Sequence, residues 1–352
     1  MSERPAGPPA ARRVLPLMPK NGSMPPMSPS KGICADSRGQ EHPPAADILS
    51  PSPVGNIGWR FLGSLVLVLN KLRNSVQGYR RPRHFHVSRV EQTAAYDLNV
   101  VNRWLDWLAD YAGPATPAGR DVLELCPGAD LGTGLILLAR GAASYTAVDA
   151  FPLAPAAPPE LYDRLRAAVI ANLPAERQAL LARYASLVKE GPDETVRYIV
   201  RSDFDLSPLA GRGFDLVFSQ AALEHFDDVG RAVRQLARAV KTGAILIAEI
   251  DLQTHTGVLR DRDPLNIYRF GDRFYNLLRF RGSPNRLRPI HYRRLLQDAG
   301  WTNIQTIPLR RLEGPYLPGV LPNLAPAFRA ADNQMDCLSV LLCATRDDRP
   351  AP

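Results

Sequence analysis

The sequence predicts an α/β domain built on one seven-stranded, mostly parallel sheet with helices on both faces. From Asp121 onward, short β-branched apolar runs alternate with helical stretches, the order in which helical crossovers lay strands side by side. One of those runs, Val122 to Leu125, carries an acid at its end and turns through glycines directly into a helix. The chain has 352 residues, 45% of them hydrophobic and 22% charged, enough to bury a sizeable core.

In chain order, residues 1–56 hold 12 of the 33 prolines and four of the five methionines without any period, and read as a disordered Pro-rich tail. Residues 57–92 read as a basic amphipathic segment, in which Trp59, Phe61, Leu62 and the run Leu65 to Leu69 are followed by cations. This segment is either a helix packed on the domain or an interfacial helix lying on a membrane. Residues 93–346 form the domain proper. Its first helix, Thr93 to Tyr111, places Tyr96, Leu98, Val101, Trp104, Leu105 and Leu108 at mostly three- and four-residue spacing, so it covers the sheet or a ligand.

Strands are expected at Asp121–Leu125, Ser144–Val148, Arg197–Val200, Phe214–Ser219, Ala244–Ile250, Trp301–Pro308 and Leu338–Ala344. Helices are expected at Gly132–Arg140, Glu160–Ala171, Ala175–Lys189, Asp227–Ala239 and Tyr292–Ala299. An Arg- and aromatic-rich insert over about residues 252–290 reads as a lid. A segment with four prolines, Pro315 to Pro326, separates the last two strands and is too long for a tight hairpin. Residues 347–352 are a C-terminal tail.

No apolar run approaches the roughly 20 residues a spanning helix needs. The Val14 to Pro19 stretch is cut by proline, which makes a poor secretory core. The four cysteines form no C-x-x-C pair and read as free thiols, so a cytoplasmic location is expected, with peripheral contact at the inner membrane surface left open. The net charge of +8 sits in two zones: seven cations and no acid between Pro51 and Val90, and twelve arginines against four aspartates between Thr256 and Arg311. Each zone is either a solvated face or a surface for phosphate, carboxylate or anionic lipid.

The chemistry concentrates at Val122-Leu123-Glu124-Leu125-Cys126-Pro127-Gly128-Ala129-Asp130-Leu131-Gly132-Thr133-Gly134. A turn of this kind lets backbone N–H groups and a helix N-terminus approach a polar ligand closely, because glycine adds no Cβ. About twenty residues on, the second strand ends at Val148-Asp149, where a carboxylate can accept both hydroxyls of a ribose, so a nucleoside is the natural ligand.

These residues, together with Ser202-Asp203-Phe204 and the run Gly213 to His225, resemble the ordered motifs of class I S-adenosylmethionine-dependent methyltransferases of the bacterial small-molecule branch. The resemblance spans roughly Asp121 to Arg346. It implies a Rossmann-like sheet with its last strand antiparallel, and S-adenosyl-L-methionine as cofactor. Carried over by position, it implies Glu124 and Gly128 near the amino-acid end of the cofactor and Asp149 on the ribose. Asp203 or its neighbour Asp205 would lie at the adenine edge, Phe204 on the adenine face, and Ser219 and Gln220 beneath the sulfonium. Cys126 and Asp130 stand where glycines are common; Asp130 is expected to cap the following helix, with Gly132 shaping the turn.

For the acceptor side, His225, Asp251 and His255 follow the fourth and fifth strands, where open sheets place ligands. His255 is the preferred base for an oxygen acceptor and His225 the more structural of the two. No metal site is assigned; Asp251, His255 and Asp261 are a looser O/N alternative. Tyr268, Phe270, Phe274, Tyr275 and Phe280 interleave with arginines, either to grip an acceptor or simply to pack the lid. The acceptor is expected to be a small molecule, sugar or lipid, and anionic if the basic zones bind it; nucleic acid is not expected. Two other readings remain open: a nicotinamide-dependent oxidoreductase on the same turn, and a membrane-bound adaptor with a degenerate pocket.

Overall fold

The computed structural model describes residues 55–77, 89–113, 116–171, 173–190 and 193–347. The proposed tails at 1–56 and 347–352 fall almost wholly outside them, as do Arg80, Arg81 and Arg83. In chain order the elements are α1 (Asn56–Gln77), α2 (Val90–Ala112), β1 (Asp121–Leu125), α3 (Gly132–Ala139), β2 (Ser144–Asp149), α4 (Pro159–Val169), α5 (Ala175–Ala182), α6 (Tyr184–Glu190) and β3 (Val196–Val200). They continue with β4 (Phe214–Gln220), α7 (Val229–Ala239), β5 (Val240–Asp251), α8 (Gly257–Arg260), α9 (Asp272–Leu278), α10 (Pro289–Asp298), β6 (Trp301–Arg311), α11 (Tyr316–Val320) and β7 (Cys337–Arg346). The helix expected at 175–189 is two helices, broken at Arg183.

All seven strands join one sheet in the order β3-β2-β1-β4-β5-β7-β6. β1 to β5 pair in parallel, and β7 runs antiparallel between β5 and β6. Strand order therefore reverses between β1 and β4, which opens a crevice beyond their carboxyl ends.

Alternation along the strands divides the core in two. Val122, Leu216, Phe218, Ile245 and Ile247 face the layer of α2, α3 and α4. Leu123, Leu125, Val217, Leu246 and Ala248 face α7 and α10. On the first face Trp104 of α2 stacks on Phe218 with ring centroids 4.9 Å apart, a contact worth about 1 kcal/mol beyond its burial. That contact fixes α2 across β4 and sets its N-terminal turns over the crevice.

The insert folds back on the segment between β6 and β7 as a third apolar cluster containing Leu265, Tyr268, Phe270, Tyr275, Phe328 and Leu338. Tyr268, Phe270, Tyr275, Arg269, Arg286 and Arg288 pack inward, whereas Phe274 is exposed and Arg260 lines the cavity. Arg288 is fully buried, lies over Tyr268, and donates to the carbonyls of Asn333, Gln334 and Cys337. Arg286 stacks on Tyr275 at 4.0 Å and donates to the carbonyls of Ile267 and Phe270. The reason is local: irregular backbone leaves carbonyls that no helix or ladder uses, and a guanidinium satisfies several at once.

The helix expected in the N-terminal basic segment forms as α1, and it is both packed and amphipathic. Trp59 and Gly63 press on the insert, where Asn266 Nδ2 donates to the Trp59 carbonyl at 3.0 Å. A Cβ on Gly63 would lie 2.1 Å from Asn266 Oδ1, so only glycine allows this approach. The opposite stripe, Ile57, Phe61, Leu65, Leu69, Leu72 and Val76, is exposed.

Candidate active site

The crevice holds a cavity of about 710 Å³. Its wall begins with the turn after β1. Cys126 continues the sheet by donating to the Val148 carbonyl at 2.7 Å, yet sits at φ 59°, and Gly128 at φ 86°. Holding a non-glycine residue in this left-handed region costs about 1–2 kcal/mol. Phe204 (φ 52°) and Ala221 (φ 48°) do the same, so three of the six left-handed non-glycine residues among the described residues line this one cavity. Strain of this kind persists where a site needs the backbone held in place. No atom lies within 4 Å of where a Gly128 Cβ would stand, so a ligand can close on that backbone.

Asp149 closes β2 with its carboxylate in the cavity wall. Oδ2 accepts the N–H of Gly128 at 3.1 Å and Oδ1 that of Phe151 at 3.0 Å. Each oxygen keeps a second lone pair for a ligand hydroxyl. Asp149 thus ties the glycine turn to β2 while presenting charge to the cavity.

Four carboxyls meet at this end. Glu124 accepts from Thr133 Oγ1 at 2.6 Å and Tyr145 OH at 2.5 Å, and its complete burial pushes its pKa up to about 7 against those two bonds. Asp97, on α2, is raised well above the usual carboxylate range by burial first and by the neighbouring Asp130 second. Burial raises Asp130 and Asp149 too, against the N–H groups they accept. Asp130 Oδ1 takes the N–H of Gly132 at 2.9 Å, while the cap position of α3 itself is Leu131, one residue later than the sequence suggested. The Oδ2 atom of Asp97 is buried without a hydrogen-bond partner among the described residues. A proton held between Asp97 and Asp130 explains how two acids stay side by side.

The opposite wall comes from β4 and β5. Gln220 donates from Nε2 to Glu249 at 2.7 Å, and Arg103 of α2 pairs with the same carboxylate at 3.2 Å. Beyond it stand Glu224 and His225, then Asp251 and His255. His225 Nδ1 lies 2.6 Å from the Gly282 carbonyl and His255 Nδ1 lies 2.9 Å from the Gln253 carbonyl. A carbonyl only accepts, so in both rings Nδ1 carries the hydrogen, and in the neutral ring Nε2 keeps a free lone pair. His255 Nε2 is 3.8 Å from Glu224 Oε1. Burial disfavours the charged His255 ring, but Glu224 and Asp251 outweigh it and its pKa is raised; burial lowers that of His225. Asp251 is itself held by Arg260 at 2.6 Å.

Of the residues singled out in the sequence, Glu124, Cys126, Gly128, Asp130, Asp149, Phe204, Gln220, His225, Asp251 and His255 all line the cavity. Three do not. Gly132 lies beneath it, where its lack of a Cβ admits Asp97 Oδ2 and Leu165. Ser219 is fully buried in β4, directed at the Leu125 carbonyl. Asp203 is exposed and faces Arg231 at 3.8 Å, and Asp205 is engaged by Ser207 and Gln235, so neither acid reaches the cavity. Phe204 alone of that segment turns in, its ring stacked on Phe226 at 4.2 Å.

Sequence reasoning missed Asp97, Phe151 and Arg260, and gave Glu224 no role of its own. The signal for Asp97 was present: an acid beside Val100, Val101 and Trp104 on the buried stripe of a helix has to have a reason.

A glycine turn, a ribose-height acid and a cavity of this size fit an adenosyl cofactor. A family profile described as "Methyltransferase domain" matches residues 96–306. No curated protein matches the chain. Similar solved structures include an S-adenosylmethionine-dependent methyltransferase from Mesorhizobium loti, 15% identical over 73% of this chain and 100% of that one, with a TM-score of 0.36. Another, from Galdieria sulphuraria, is described as a sarcosine dimethylglycine methyltransferase; it is 14% identical over 79% of this chain and 98% of that one, with a TM-score of 0.40.

Proposed function

The chain belongs to the methyltransferase domain family and is an S-adenosylmethionine-dependent methyltransferase; we propose that its acceptor is a hydroxyl oxygen on a small-molecule, sugar or lipid-type substrate. When bound, the cofactor supplies a methyl group already activated on a sulfonium, so the protein's own work is positioning and removal of one proton. Asp149 would hold the ribose, the Cys126–Asp130 turn would face the cofactor's amino-acid end, and Phe204 would pack on the adenine.

The observation that carries the oxygen acceptor is the corner across the cavity, where ring nitrogens of His225 and His255 and the Glu224 carboxylate gather, with Nδ1–H of both rings given to backbone carbonyls. With its rings neutral, such a corner accepts hydrogen bonds from a ligand. A hydroxyl donates into it, whereas a carboxylate acceptor is repelled. His255 takes the hydroxyl proton as the methyl group transfers, with Glu224 and Asp251 stabilising the resulting charge. His225 is held by Gly282 and shapes the corner.

The exposed apolar stripe of α1, flanked by Arg60, Lys71 and Arg73 and free of acids, supports a lipid-type acceptor met in the cytoplasm at an anionic membrane surface. Among the described residues no helix is long and apolar enough to cross a membrane.

The test is transfer from methyl-labelled cofactor in lysate separated into lipid, glycan, protein and RNA fractions. An alkali-stable ether in the lipid or glycan fraction, or in the small molecules left after these four are removed, is expected. Label confined to RNA, or lost on mild alkaline hydrolysis as an ester, overturns the reading.

A further inference from the structure

The corner described above is over-supplied with electron pairs. Glu224 is 2% exposed and neither of its oxygens has a hydrogen bond among the described residues. His225 and His255 each commit Nδ1–H to a backbone carbonyl and leave Nε2 without a hydrogen in the neutral ring. One donor atom from each of the three residues lies within 4.8 Å of the others.

Desolvating a carboxylate without donors costs several kcal/mol unless something positive sits beside it. His255 meets only part of this demand: its Nε2 stands 3.8 Å from Oε1, beyond hydrogen-bond distance, and Oε2 has no partner among the described residues. A single cation at the centre answers all three. The two imidazoles are also braced as metal-binding histidines are, with the second ring N–H given to a fixed acceptor that sets tautomer and ring orientation.

We propose that Glu224, His225 and His255 bind one divalent first-row transition-metal ion. Two imidazoles and one carboxylate suit Mn²⁺, Fe²⁺, Co²⁺ or Zn²⁺ rather than Mg²⁺ or Ca²⁺, which favour all-oxygen sets. Bonds of roughly 2.0–2.2 Å put ligand atoms about 3–3.5 Å apart, so the three groups close by about 1 Å around the ion. Three protein ligands leave coordination positions open toward the cavity. The set differs from the sequence's looser alternative, because Asp251 is taken by Arg260 and only His255 is shared.

The chemical consequence rests on the hydroxyl-acceptor reading. The acceptor oxygen binds the ion and its O–H bond breaks, the proton passing to solvent. The oxygen's electron pair then forms the bond to the methyl carbon, while the methyl–sulfur bond breaks and leaves S-adenosylhomocysteine. In this state His255 is a ligand, and the ion, in place of an imidazolium, supplies the positive charge.

The test uses the full chain stripped with EDTA and dialysed against Co²⁺, with metal content measured by mass spectrometry and the visible Co²⁺ absorption recorded. One equivalent per chain is expected. Glu224→Gln and His255→Asn should each weaken binding by roughly 100-fold or more, since even outer partners of metal ligands are worth 10- to 100-fold. Retained S-adenosylhomocysteine binding in at least one variant shows that the loss is local. The absence of stoichiometric Co²⁺ in the parent, or its retention in the folded variants, overturns the proposal. The two readings fail separately: ether formation by stripped, metal-free protein keeps the hydroxyl acceptor and sinks the metal, whereas bound Co²⁺ without any ether product does the reverse.

Discussion

Replacing Asp149 with alanine tests the cofactor wall at its most exposed point. The carboxylate holds the turn through Gly128 and the chain through Phe151, and offers its remaining lone pairs to the ribose. Hydrogen bonds to a charged group contribute about 1.5–3 kcal/mol. Loss of the ribose contacts should therefore weaken S-adenosylhomocysteine by roughly 10- to 150-fold, at about 1.4 kcal/mol for each factor of ten. The assay is isothermal titration of parent and variant with two ligands, S-adenosylhomocysteine and 5′-methylthioadenosine. Both carry the ribose, so both should lose the same factor. Asp149→Asn keeps one acceptor for the backbone but places an NH₂ against the N–H of Gly128 or Phe151, so it should fall between the parent and alanine. Unchanged affinity, or a loss confined to S-adenosylhomocysteine, would refute the reasoning by placing Asp149 away from the sugar.

Further outcomes follow from other parts of the molecule. Because burial lifts Glu124 to about 7, the ligand-free protein should bind more protons than its unfolded chain over the intervening range. Its contribution is fully present below the ordinary glutamate range and lost as pH rises through about 7, a change of roughly 3 kcal/mol. Denaturant titrations at pH 5 and pH 8 should show a shallower fall for Glu124→Gln; equal falls would contradict the burial argument. Gly132→Ala puts a Cβ 2.0 Å from Asp97 Oδ2 and 2.7 Å from Leu165 Cδ1, and should lower stability by about 1–3 kcal/mol; an unchanged denaturation midpoint would mean that α2 yields freely. Serine at Phe61, Leu65 and Leu69 should leave the melting temperature nearly unchanged, since all three are exposed, while abolishing co-sedimentation with anionic vesicles. Equal co-sedimentation of parent and variant would remove α1 from any membrane role.

The sheet was legible in the sequence because its signals are local. Each strand is a short apolar run, and the acid-and-glycine turn after β1 announces a parallel strand feeding a helix. The cavity-lining acids and histidines were legible for the same reason, since strand ends fix which residues reach the crevice. Side-chain direction within a segment was not legible. Ser219 and Gln220 are adjacent in β4, and strand alternation sends only the second into the cavity. Phe204 in its left-handed conformation turns inward while Asp203 and Asp205 stay at the surface with Arg231 and Gln235. The inward packing of Arg286 and Arg288 depends on carbonyls contributed by residues as far along the chain as Cys337 at the start of β7, a long-range fact that composition does not encode. Asp97 also needed three dimensions, because its partner Asp130 comes from the turn after β1.

A crystal structure of the chain with S-adenosylhomocysteine tests the account at its centre. Both ribose hydroxyls are expected on the Asp149 carboxylate, with the thioether sulfur directed across the cavity at the corner of Glu224, His225 and His255. A ribose bound elsewhere, or a sulfur turned away from that corner, would contradict it.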